Sequence, residues 1–105
     1  MIQVSVLYPN REGVEFDMDY YTEIHMPLVQ RLTDCRRMTV QRGVAGARGQ
    51  GEPSFVAIGQ LHYDSIAAFR SAFDTHAQRI LGDIANFTNV EPTIQISEEM
   101  SVEFA

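Results

Sequence analysis

Phe16 to Leu32 reads FDMDYYTEIHMPLVQRL, and this run decides how the rest of the chain is to be read. Asp17 can accept a hydrogen bond from a free backbone N–H as N-cap, and Phe16 and Tyr21 stand at the two positions of a hydrophobic staple. Asp19 and Glu23 suit the positive end of the helix dipole. Tyr21, Ile24, His25, Leu28 and Leu32 recur at helical spacing, so the predicted helix buries one stripe, and His25 points at whatever that stripe covers. Pro27 has no N–H and its ring clashes with the carbonyl of Glu23. The helix is therefore expected to kink there, or to stop and restart with Pro27 at its first position, leaving His25 at the break.

Outward from this helix the hydrophobic period changes to two. Ile2 to Tyr8 alternates, with Ile2, Val4, Val6 and Tyr8 on one face, and Arg37 to Val44 does the same with a half-polar pattern. Four breakers between Gly46 and Pro53 predict a mobile hairpin loop. Ser54 to His62 is apolar on both faces, as expected of a central, covered strand. Asp64 or Ser65 caps a second helix whose stripe is Ile66, Phe69, Ala72 and Phe73, with a break expected near Asp74 and Thr75. A further helical piece carries His76, Ile80, Leu81 and Ile84 and is interrupted by Gly82. Glu91 to Ser97 closes the pattern as a strand, which the acidic tail would extend.

The order strand, helix, strand, strand, helix, strand predicts an α+β fold of the ferredoxin-like βαββαβ type, a four-stranded antiparallel sheet with both helices on one face. A chain of 105 residues is expected to form one domain, 1–105. The other sheet face would be bare in a monomer, and a second copy packed sheet to sheet as a symmetric homodimer is the simplest cover. Arg42 and Gln60 are expected on that open face.

Composition excludes several chemistries. The formal charge is −6 and all eight basic residues are arginine, which argues against nucleic-acid and membrane partners, since both rely on basic patches. Without lysine there is no Schiff base, pyridoxal phosphate or P-loop chemistry. The single cysteine, Cys35, allows no internal disulfide and reads as a packing residue. No signal peptide or spanning segment is legible, so a cytoplasmic location is expected. No His-Glu-x-x-His pattern occurs, so neither a metal nor a cofactor is expected, and His62 and His76 take surface or capping roles.

His25 is the candidate for acid–base work, because imidazole both takes and gives a proton near neutral pH. The plainer reading is a core histidine satisfied by a backbone carbonyl or by Glu23. Tyr8 and Tyr21 could each donate to an oxygen of a ligand, whereas Tyr20 reads as packing. Leu28, on the same stripe, would touch such a ligand. Asp17 is already engaged as a cap.

Tyr8-Pro9, the run FDMDYYTEIHMPL and the segment GDIANFTNVEPTIQISE from Gly82 to Glu98 resemble the EthD family of the dimeric α+β-barrel superfamily. The resemblance spans nearly the whole chain. It implies a ferredoxin-like monomer that pairs through its sheet into a barrel. For chemistry it implies a range: the namesake gene cluster serves ethyl tert-butyl ether degradation, fungal relatives look like polyketide dehydratases, and distant members include cofactor-free monooxygenases, lactone isomerases and haem-degrading enzymes. Fold alone selects none of these. Taken together, the residues and the resemblance lead to the expectation of a small, largely apolar organic molecule held between helix and sheet, with cofactor-independent dehydration or isomerisation at His25. The alternatives are a noncatalytic binding or accessory protein using the same pocket, and a barrel filled by side chains.

Overall fold

A computed structural model describes residues 1–104. Strand β1 (Ile2–Pro9) leads into a long first helix, α1, made of three consecutive segments, Met18–Tyr20, Tyr21–His25 and Met26–Thr33. Strands β2 (Arg37–Arg42) and β3 (Phe55–Tyr63) follow, then helix α2 (Ile66–Asp83), a single 3-10 turn (Ile84–Asn86) and strand β4 (Thr93–Glu98). The four strands form one antiparallel sheet in the order β2-β3-β1-β4. This is the expected βαββαβ arrangement.

The register assigns every strand residue to a face. Val4 pairs with Leu61 and Ile96, and Val6 with Gly59 and Ile94, while Met38 and Val40 face Leu61 and Gly59. All of these share the face towards the helices, where Val4, Val6, Met38, Val40 and Leu61, with Tyr8, Ala57 and Tyr63, carry the core, while Ile94 and Ile96 on the edge strand stay partly exposed. Gln60 stands on the open face opposite Ser5 and Thr39, and its side-chain oxygen accepts from Gln3 Nε2 (2.7 Å) and Ser5 Oγ (2.6 Å). Arg42 is opposite Ala57 and so belongs to the helix side, not to the open face expected for it. A strand alternates strictly, so one position of parity separates it from Gln60.

Pro27 does not stop α1. Tyr21–His25 is a π turn, in which the Met26 N–H bonds to the Tyr21 carbonyl, and Pro27 falls in the first turn of the α segment that follows. The wider turn absorbs one extra residue where proline cannot donate, and so shifts the buried face by one position. Ile24, expected inside, is half exposed, whereas Met26, Val29 and Thr33 join Tyr21 and His25 in the interior. The helix ends at Asp34, a left-handed residue (φ 53°) whose N–H returns to Gln30 O.

Helix α2 is likewise unbroken through Asp74, Thr75 and Gly82. The Thr75 hydroxyl bonds back to Ser71 O, so the residues expected to end the helix are accommodated on its solvent side. Ser65 is the N-cap, accepting from Ala68 N at 3.0 Å. The strand expected to run into the acidic tail stops at Glu98, and Met100, Val102 and Phe104 stand exposed beyond it. No helix among the described residues is long and apolar enough to cross a membrane.

Candidate functional site

The turn from Asn86 to Val90 laces the end of α2 to the segment that enters α1. Asp17 N–H donates to Phe87 O (2.8 Å), Thr88 Oγ1 donates to Glu15 O (2.7 Å), and Asn89 accepts from Glu15 N while donating to Gly13 O. Asp17 also caps α1, accepting from Tyr20 N, and Phe16 meets Tyr21 edge to face at 5.1 Å, as the staple requires. Phe87 becomes the hub of an aromatic cluster, with ring centroids 4.6 Å from His25, 5.1 Å from Tyr21 and 5.8 Å from Tyr8.

This lacing brings Asp83, the last residue of α2, against the π turn. His25 Nδ1 lies 2.8 Å from Asp83 Oδ2, and the other carboxylate oxygen accepts from the Tyr20 hydroxyl (2.6 Å) and Asn86 Nδ2 (2.9 Å). Burial pushes the His25 imidazole below its ordinary 6.5, outweighing the opposite pull of Asp83. Burial alone would raise the Asp83 carboxyl, but the hydrogen bonds from Tyr20, Asn86 and His25 hold it below its usual value. The pair therefore rests as neutral imidazole and carboxylate. A carboxylate can only accept, so Nδ1 carries the proton and Nε2 is left as a basic lone pair.

The ring lines a cavity of ≈ 50 Å³ between α1, α2 and the sheet, walled by residues such as Val4, Met26, Leu61, Phe73 and Ile80. Tyr8 and Tyr21 line it as well. Both are almost fully buried with their rings edge to face at 5.4 Å, and burial lifts both phenols far above their ordinary range, so they remain O–H donors. Tyr21 reaches this position because β3 has glycine beneath it: a Cβ at Gly59 would overlap the Tyr21 hydroxyl. Tyr63, which also lines the cavity, has its hydroxyl 2.7 Å from that of Thr33, and burial pushes its pKa up to about 12.

Of the expected site residues, the cavity brings together His25, Tyr8 and Tyr21. Leu28 is buried but does not line it, since the π turn hands that position to Met26 and Val29. Tyr20, read from the sequence as packing, donates to Asp83. Asp83 itself was not legible as a partner: it lies 58 residues from His25, and only the folded turn makes them neighbours. His62 sits on the opposite sheet face from His25, in register with Gln3. Cys35 is buried in the core, and burial raises its thiol pKa.

The chain is thus a ferredoxin-like α+β protein, with a histidine–aspartate pair on an apolar cavity. The EthD domain model matches residues 12–91. An EthD-like protein of Ralstonia eutropha JMP134 of known structure is 43% identical, with a TM-score of 0.87 over 92% of this chain and 89% of that one. An uncharacterised 11.0 kDa protein encoded in the thcB–thcC intergenic region of Rhodococcus erythropolis is 29% identical over 97% of this chain and 98% of its own. An ethyl tert-butyl ether D (EthD) family protein of Bacillus halodurans C-125 shares the fold at 22% identity, with a TM-score of 0.66 over 95% and 99% of the two chains. The chain belongs to the EthD family.

Proposed function

We propose that this protein binds a small, largely apolar organic molecule in the cavity beneath α1 and moves a proton on it without a cofactor. One observation carries the reading: a buried, neutral His25 spends Nδ1 on Asp83 and has Nε2 free of protein partners among the described residues, on an apolar cavity. Such a nitrogen is a general base already in the right tautomer. Tyr8 and Tyr21 line the same cavity as neutral phenols, so an O–H of either can donate to a ligand carbonyl.

The step this supports is abstraction of a proton from the carbon beside that carbonyl by Nε2, with the developing oxyanion held by a tyrosine O–H. The imidazolium then returns the proton. Delivered to another carbon it completes an isomerisation; delivered to a departing hydroxyl it releases water and completes a dehydration. The protonated ring is stabilised by Asp83, which changes partner charge but not position.

The working form is proposed to be a homodimer paired through the open sheet face. Leu7 and Ile58 pair as an apolar patch on that face by register, beside the polar Gln3-Ser5-Gln60 group.

The test uses a thermal-shift screen of phenols, diketones, lactones and branched alcohols, since a ligand of the folded state raises apparent stability by mass action. Hits are then incubated with protein in deuterium oxide. Wild type should exchange the acidic C–H for deuterium, and His25→Ala should bind the same compound while losing exchange at least a hundredfold. Binding without exchange in the wild type would leave a carrier or accessory protein instead.

A further inference from the structure

We infer that the ligand of the His25 cavity is an elongated monocarboxylate, whose slim apolar end enters the cavity while its ionised head stays outside on Arg11. This deepens the reading just given and rests on it. The cavity adjoins a second space: Leu81, Ile84, Pro92 and Ile94 line both it and an open groove of ≈ 660 Å³. Leu81 and Ile94 form an apolar sill, 47% and 44% exposed, because α2 does not reach over the edge strand β4.

The groove beyond the sill contains Arg11, Thr88, Asn89 and Glu91. The Thr88 hydroxyl is committed to Glu15 O and Val90 N, and the Asn89 amide to Gly13 O and Glu15 N. Arg11 gives only one N–H, to Asn89 O at 2.9 Å, which ties the guanidinium down at the groove. It forms no ion pair among the described residues. A tethered guanidinium with its remaining donors unspent matches a carboxylate in charge and in planar geometry.

The division of the ligand follows from desolvation. An ionised carboxylate would be costly inside the apolar cavity, and hydrocarbon gains from entering it. The head therefore stays at Arg11 and the neutral end is directed towards Nε2. Glu91 faces the same groove without pairing to Arg11 and repels further negative charge, which favours a single carboxylate over a dianion or phosphate.

The probe is pentanoate, whose slim alkyl end suits a cavity of ≈ 50 Å³, against its neutral isostere pentanamide, titrated while the His25 ring resonances are followed. The acid should bind wild type roughly 3- to 10-fold more tightly than the amide. Arg11→Gln should close that gap, Glu91→Gln should widen it, and Arg70→Gln, an exposed charge away from the groove, should leave it as in wild type. If acid and amide bind alike and both move the His25 resonances, the carboxylate subsite is overturned while the cavity reading stands. If neither moves them, the cavity reading fails and takes this inference with it.

Discussion

At His25 two opposing influences meet, and their balance sets what the residue can do. Burial favours the neutral ring and Asp83 favours the charged one, with burial the larger. Folding therefore binds a proton less readily at this site than the unfolded chain does. The sign follows: the stability tied to His25 is complete above about pH 6.5 and is lost as the pH falls from there towards the depressed folded value. Asp83 adds a second acid window, with stability present above 3.8 and lost as the pH falls below it. The melting temperature of wild type should decline between pH 7 and 5, and His25→Gln should flatten that decline; equal slopes for the two proteins would contradict the assignment. Asp83→Asn removes the charge that opposes burial, so an NMR titration should show the His25 midpoint moving lower still, with the Nδ1–H tautomer no longer enforced. A midpoint that stays put would mean that the 2.8 Å contact does not act on the ring.

On the scale of single elements, α1 turns on one inserted residue. A regular α-helix would place Ile24 inside, and the π turn places Met26 there instead, 4% exposed against 50% for Ile24. Met26→Ala should accordingly cost about 2–5 kcal/mol, while Ile24→Ser should stay within about 0.5 kcal/mol. Denaturant midpoints of the two variants decide between the two phases of the helix. Strand β3 carries the complementary feature, a glycine in a central strand where a side chain would ordinarily add packing. Gly59→Ala forces Tyr21 away from the sheet and should destabilise by about 1–3 kcal/mol. Combining it with Tyr21→Phe removes the overlapping oxygen, and the double variant should be clearly more stable than the sum of the single changes. Simple additivity would show that the hydroxyl is not what Gly59 accommodates.

For the molecule as a whole, the open sheet face sets the expected assembly. Ile58 pairs with Leu7 and Gln41 across this face, away from both helices, so a charge there leaves the core intact. Ile58→Glu should turn a dimer into a folded monomer in light scattering, with an unchanged circular dichroism spectrum. A wild type that is monomeric at high micromolar concentration would remove the sheet-to-sheet pairing from consideration. The helix side raises a different question of fit, because α2 covers β1 and β3 but leaves Ile94 and Ile96 on β4 partly exposed. Leu81, Ile84, Pro92 and Ile94 beside that gap line both the His25 cavity and the groove at Arg11.

The alternation of Ile2 to Tyr8, the two-faced apolar run from Phe55 to Leu61 and the caps at Asp17 and Ser65 are local patterns, and from them the sequence by itself determined the element order, the sheet with helices on one face, and the inward direction of His25. Local pattern failed where a phase or a parity depended on something distant. Pro27 signalled irregularity, yet whether the chain would break or take a π turn was decided by packing that rewards burying Met26 and Val29. Asp74 and Thr75 looked like a helix end and were carried through on the solvent side of α2. Only the tertiary structure decided the partner of His25, because a hydrogen bond between residues 58 apart depends on the turn at Phe87 closing onto Glu15 and Asp17. A carboxylate at the end of a helix has no sequence signature until the fold supplies the imidazole beside it.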